Sequence, residues 1–163
     1  MNPSEWLEKN VLGFSLLSGQ EREAIKDFSL LWSLYEGTIL NASGSAKAII
    51  HAVDSLKASG RLTVEALRGA IDYFVERYFD GDLSYAFHEL RLRSNDHRAL
   101  VEKVLKGQST DDTEIVSAIL IIVFRLRNNL FHGVKWSYGI RGQLENFRKA
   151  NNVLMSVIEM HQR

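Results

Sequence analysis

The chain has 163 residues, enough for one domain with its own core, and its 45 % apolar and 25 % charged composition is that of an ordinary globular protein. With no cysteine it has no disulfide framework and no thiolate site. A formal net charge of zero argues against a general nucleic-acid coating role, and the longest unbroken apolar run, Ala118 to Phe124, falls far short of the roughly 18 residues of a spanning helix.

A single proline, Pro3, and abundant Leu, Ala, Glu, Lys and Arg favour helices. Short Gly, Ser, Asn and Asp signals divide the chain into successive helical segments. The first is predicted over about Ser4 to Asn10. Ser18-Gly19-Gln20-Glu21 is a capping-box pattern that opens a long helix to about Leu40, with Phe28, Leu31, Trp32, Tyr35 and Ile39 at helical spacing. Asn41 to Ser45 is a break. A third helix runs from about Ala46 to Ala58 and stops at Gly60. A fourth begins at Thr63, runs through Tyr78 and ends at Asp80-Gly81-Asp82. Shorter helices follow over about Tyr85 to Leu92 and Asp96 to Leu105, the latter closed by Gly107. The next spans about Asp112 to Phe131 or His132, with Gly133 as its stop. A turn from Gly133 to Gly142 leads to a last helix over about Gln143 to His161. No strand pair with hairpin chemistry stands out. The expectation is an all-α fold, one domain over 1–163, built as an antiparallel bundle of about seven or eight helices.

The Asp112–His132 segment carries the functional argument. Ile115, Ile119, Ile122 and Leu126 form one stripe, and Val116, Leu120, Val123 and Arg127 the neighbouring one. Such a helix must be covered on most sides, either as the central core helix or as one that also meets a second subunit. Its end reads Arg127-Asn128-Asn129-Leu130-Phe131-His132-Gly133. Polar groups at the end of a buried helix carry a desolvation cost unless they find partners. Arg127 and His132 lie five residues apart, about 140° around the helix, and can reach one cavity.

Arginine with histidine is a minimal set for acting on a phosphodiester without metal. An imidazole can take or give a proton, and a guanidinium offers a fixed fork of donors to phosphate oxygens. Asn128, one turn before His132, could orient the imidazole or hold a phosphate oxygen. The competing reading has Arg127 and Asn128 capping carbonyls or pairing with acids, and His132 decorating a helix end. Glu36 either pairs with Arg127 and fixes its rotamer or faces solvent. Asn129 either supports the site or faces solvent. From Arg125 to Arg163 there are seven basic residues against two acidic ones, so the basic excess sits in the part that holds the cluster.

Arg127-Asn-Asn-Leu-Phe-His132 resembles the R-x4-6-H signature of HEPN-domain proteins, in which a polar residue such as Asn128 typically follows the arginine. The segment Phe28-Ser-Leu-Leu-Trp32-Ser-Leu-Tyr35-Glu36 is similar to an early helix in some branches of that family. The resemblance implies a HEPN-like helical domain with its motif on a late helix. It implies a metal-independent endoribonuclease that cleaves RNA through 2′-hydroxyl attack, as a toxin or antiviral defence effector. It implies no cofactor, and a homodimer in which two motifs line one cleft. A non-catalytic HEPN-like dimer that binds RNA, a nucleotide or a protein partner is the alternative. The site residues are then Arg127, His132 and Asn128, supported by Glu36 and Asn129, with Arg125, Lys135, Tyr138 and Arg141 contacting RNA. In the HEPN toxins paired with nucleotidyltransferase antitoxins, a modified tyrosine sits two positions after the histidine. That position is Val134 here, which speaks against that antitoxin type; another antitoxin or regulatory protein stays open.

Other signals are weaker. His51, His88, His97 and His161 show no paired metal-ligand spacing, so no metal site is expected. Asp80-Gly81-Asp82 lacks the rest of a calcium loop and reads as a turn. Gly44-Ser45-Ala46-Lys47 lacks the spacing of a phosphate loop. The segment Met1 to Trp6 does not lead from a basic stretch into an apolar one, so a cytoplasmic protein without membrane attachment is expected.

Overall fold

The computed structural model describes residues 1–133 and 140–163. Among them are eight α-helices: α1 (Pro3–Asn10), α2 (Gly19–Thr38), α3 (Ala46–Ala58), α4 (Arg68–Tyr78), α5 (Tyr85–His88), α6 (Arg98–Leu105), α7 (Asp112–Phe131) and α8 (Leu144–Gln162). Two 3-10 turns, Phe14–Leu16 and Glu65–Leu67, precede α2 and α4. No strand is present among the described residues, and no helix there is long and apolar enough to cross a membrane. The all-helical expectation holds.

Local chemistry sets the helix ends. Asn2 and Ser18 each form a complete capping box, with Glu5 and Glu21 respectively. Asp111 caps α7 by accepting from the N–H groups of Thr113 and Glu114 at 2.8 and 3.1 Å. Gly133 closes α7 at φ 73°, a left-handed conformation that costs glycine nothing.

Three predicted boundaries move. The segment from Thr63 enters through a 3-10 turn and becomes α-helical only at Arg68. α5 is a single turn ending at His88 rather than Leu92, since Arg91 takes φ 52° and turns the chain away. α6 starts at Arg98 rather than Asp96. Asp96 instead accepts from the Arg93 N–H at 2.7 Å, and His97 is left-handed at φ 51°. Asp80-Gly81-Asp82 is a turn, closed by the Asp80 N–H on the Asp82 carbonyl.

The helices are not uniformly antiparallel. Arg148 reaches Gln20, Asn151 donates to the Ala24 carbonyl at 3.1 Å, and Met155 lines a groove with Leu30 and Leu31, so α2 and α8 run side by side in the same direction. α3 runs against α7: Gly44 to Ala46 line a cavity with the end of α7, and Lys57 lies in the field of Asp111 at its start. Burial alone would raise the Glu21 carboxyl, but the N–H groups of Ser18 and Gly142, with Arg141 nearby, hold it below its usual value.

The core sits around α7. Val116 and Ala118 to Val123 are fully enclosed. Leu120 and Val123, for which a second subunit offered one source of cover, are enclosed by the chain itself. The body of α7 is therefore not available at a dimer axis; its end is, with Phe131 54 % exposed and His132 exposed beside it.

Candidate functional site

Beyond Val123 the helix α7 changes character, and its faces divide the work. Phe124, Asn128 and His132, spaced four apart, lie along one face. Together with Arg127 they line a cavity of about 240 Å³. The opposite wall is Gly44, Ser45 and Ala46 at the start of α3. Arg93, Asn95 and Asp96, from the segment between α5 and α6, close the third side with Arg125.

Arg127 is held on three sides. Its Nη2 donates to Glu36 Oε2 at 3.3 Å, and its Nη1 donates to Asn128 Oδ1 at 3.0 Å. Its guanidinium lies over the Phe131 ring, 5.1 Å from the centroid, and 5.8 Å from that of Trp32. The indole Nε1–H of Trp32 donates to the same Glu36 oxygen at 2.8 Å, and Trp32 stacks on Phe124. Trp32 therefore orients Glu36, and Glu36 orients Arg127. Because Oδ1 of Asn128 is engaged by Arg127, the Asn128 amide N–H groups stay available to a ligand. His132 caps α7 through its backbone N–H on the Asn128 carbonyl at 2.9 Å, which leaves its ring on the cavity wall.

Asn129 and Arg141 stand away from the cavity, and Arg125 is buried at its edge. Asn129 is 2 % exposed and turns away from the cavity, donating through Nδ2 to the carbonyls of Glu89 and Leu90 at 3.1 and 3.3 Å. Arg125 is buried rather than on the surface: it is 3 % exposed, donates through Nε to the Leu90 carbonyl at 3.1 Å and pairs with Asp96 at 3.3 Å. Burial lowers its guanidinium from the ordinary value, and Asp96 opposes that shift. Arg125 and Asn129, one turn apart, thus pin the segment after α5 to α7. Arg141 is exposed beside Glu21. Fifteen residues of α2 separate Glu21 from Glu36, about 22 Å at 1.5 Å per residue, so Arg141 stands well away from the cavity. Lys135 and Tyr138 lie outside the described residues.

The structure adds residues that spacing alone did not mark. A Cβ on Gly44 would collide with the Glu36 carboxylate, so the bare glycine leaves room for that carboxylate to reach Arg127. Arg93, Asn95 and Asp96 reach the site only through the left-handed turns at Arg91 and His97. Around the cavity Arg93, Arg125 and Arg127 outnumber Asp96 and Glu36. The local charge is positive before His132 is counted. Among the described residues no group of three His, Asp or Glu side chains gathers as metal ligands. Comparison of the chain with protein families, with curated proteins and with solved structures found no match.

Proposed function

We propose that this protein is a HEPN-like, metal-independent endoribonuclease whose site is the cavity at the end of α7. One observation carries the reading: Arg127, Asn128 and His132 line a single electropositive cavity, with Arg127 fixed by Glu36. In this reading the 2′-oxygen of a nucleotide attacks the adjacent phosphorus. The bond from phosphorus to the 5′-oxygen of the next nucleotide breaks, leaving a 2′,3′-cyclic phosphate and a 5′-hydroxyl. Arg127 and the Asn128 amide hold the non-bridging oxygens as charge builds on them. His132 moves a proton: one imidazole takes it from the 2′-hydroxyl, and another gives one to the departing 5′-oxygen. A single chain offers one such imidazole in this cavity. A twofold homodimer facing the exposed Phe131–His132 ends of α7 supplies both. A toxin or antiviral effector, restrained by an antitoxin or regulatory protein, is the setting that the resemblance favours.

A second reading, a dimer that binds RNA, a nucleotide or a protein without cutting, draws on the fact that both terminal nitrogens of Arg127 already have protein partners. One experiment separates them. Purified protein is incubated with total RNA in excess EDTA, alongside His132→Ala and Arg127→Ala. The ribonuclease reading expects cyclic-phosphate ends from wild type alone, with all three proteins equally helical. Unimpaired cleavage by both folded variants would overturn it, and intact RNA bound by wild type would favour the second reading.

A further inference from the structure

We infer that the same cavity holds a second phosphate of the RNA strand, next to the one being cleaved, on Arg93 and the first turn of α3. The inference rests on the ribonuclease reading for the strand's path. Its own support lies in charges and donors that the proposed chemistry leaves unused.

Arg93 lines the cavity and is exposed. Its backbone N–H is anchored by Asp96, so its position in the chain is set, while its guanidinium forms no ion pair among the described residues. The two acids nearby are committed elsewhere, Asp96 to Arg125 and Glu36 to Arg127. Among the described residues that line the cavity, Arg93 is the arginine without an ion-pair partner.

The start of α3 points to the same ligand. Gly44, Ser45 and Ala46 form the cavity wall, and α3 runs for 13 residues behind them. Ser45 Oγ takes the Ala48 N–H at 3.1 Å, and the Ser45 carbonyl takes that of Ile49. The N–H groups of Ala46 and Lys47 have no intrahelical acceptor. The first turn holds no acidic residue to satisfy the positive end of the helix. Arg125, 3 % exposed and lining the same cavity, adds a buried donor. Its Nη1 sits in ion-pair contact with Asp96 but makes no hydrogen bond. Spare amide donors, an uncompensated guanidinium and a buried guanidinium N–H without a hydrogen bond suit one chemical class, a phosphate group.

The test titrates wild type, Arg93→Ala, Arg93→Lys and Arg93→Glu with a short 2′-O-methyl RNA oligonucleotide, which lacks the attacking hydroxyl. ATP and pyrophosphate serve as parallel probes, each at several salt concentrations. Arg93→Ala is expected to weaken oligonucleotide binding about tenfold, the size of one charge-assisted contact. It should also flatten the slope of log affinity against log salt by about 0.7, the value for one single-strand phosphate. Arg93→Lys retains most of the affinity, Arg93→Glu loses more, and in cleavage assays the loss falls on KM rather than kcat. Equal affinity and slope for Arg93→Ala overturns the inference. So does Arg93-dependent binding of ATP or pyrophosphate as tight as that of the oligonucleotide, which would make the ligand a free phosphate compound. A protein that binds the oligonucleotide through Arg93 but never cuts RNA removes the ribonuclease reading and keeps the subsite. One that cuts RNA indifferently to Arg93 does the reverse.

Discussion

Replacing Arg125 by methionine removes the cation of a buried pair and leaves its anion behind. Both side chains are 4 % exposed, and they stand 3.3 Å apart. Without Arg125 the Asp96 carboxylate keeps only the Arg93 N–H, at 2.7 Å, as a partner. The Leu90 carbonyl loses the Arg125 Nε donor but keeps Asn129 Nδ2 at 3.3 Å. The dominant cost is therefore an uncompensated buried charge, about 3–5 kcal/mol. For a chain of this size each kcal/mol lowers Tm by roughly 2–4 °C, so a fall of about 10 °C is expected. Urea denaturation followed by circular dichroism should show an earlier midpoint with an unchanged slope. Adding Asp96→Asn to Arg125→Met removes the stranded charge and should restore about half of the loss. A loss below about 1 kcal/mol for Arg125→Met, or no recovery in the double variant, would refute the argument that Asp96 depends on Arg125.

Two further perturbations test other contacts. Gly44→Ala places a methyl where the Glu36 carboxylate lies, so that carboxylate must shift from its position against Arg127. RNA cleavage should fall at least about tenfold while the helical spectrum holds, and full activity would show that the Glu36 pair is dispensable. Tyr35 is wholly buried, and its hydroxyl has no hydrogen-bond partner. Tyr35→Phe should therefore stabilise the protein by about 1 kcal/mol in urea denaturation, and a loss of that size would reveal an unseen partner. Burial also pushes the Tyr35 and Tyr78 hydroxyls above their usual value of 10. Once unfolded these groups ionise as pH passes 10, whereas in the native state they stay neutral. The stability they contribute is complete below pH 10 and lost above it. Tyrosinate absorbance from these two should therefore rise together with alkaline unfolding, and later in Tyr35→Phe.

The helices were legible where one segment carried its own signals. α7 announces itself by an apolar run with Asp111 before it and Gly133 after it, and α2 by the box from Ser18 to Glu21. The end of α5 and the start of α6 were not, because Arg91 and His97 adopt left-handed conformations without being glycine. That shape serves residues far along the chain: Arg125 and Asn129 need the carbonyls of Glu89 and Leu90, more than 30 positions earlier. The same distance hid the fate of these two side chains. As sequence, Arg125 is a cation beside Arg127; in the fold they face different partners. At Glu36 the sequence left a solvated charge and an ion pair equally open, and only the packing of Trp32 on Phe124 decides between them.

α2 acts as a ruler between two anchors. At one end Glu21 accepts the Gly142 N–H at 2.8 Å, and at the other Glu36 holds Arg127. The two carboxylates sit on one rigid helix with fifteen residue steps, about 22 Å, between them. One residue inserted or removed in α2 between them would turn Glu36 about 100° away from Arg127 while Glu21 stayed on Gly142, so the length of α2 couples the contact at one end to the contact at the other.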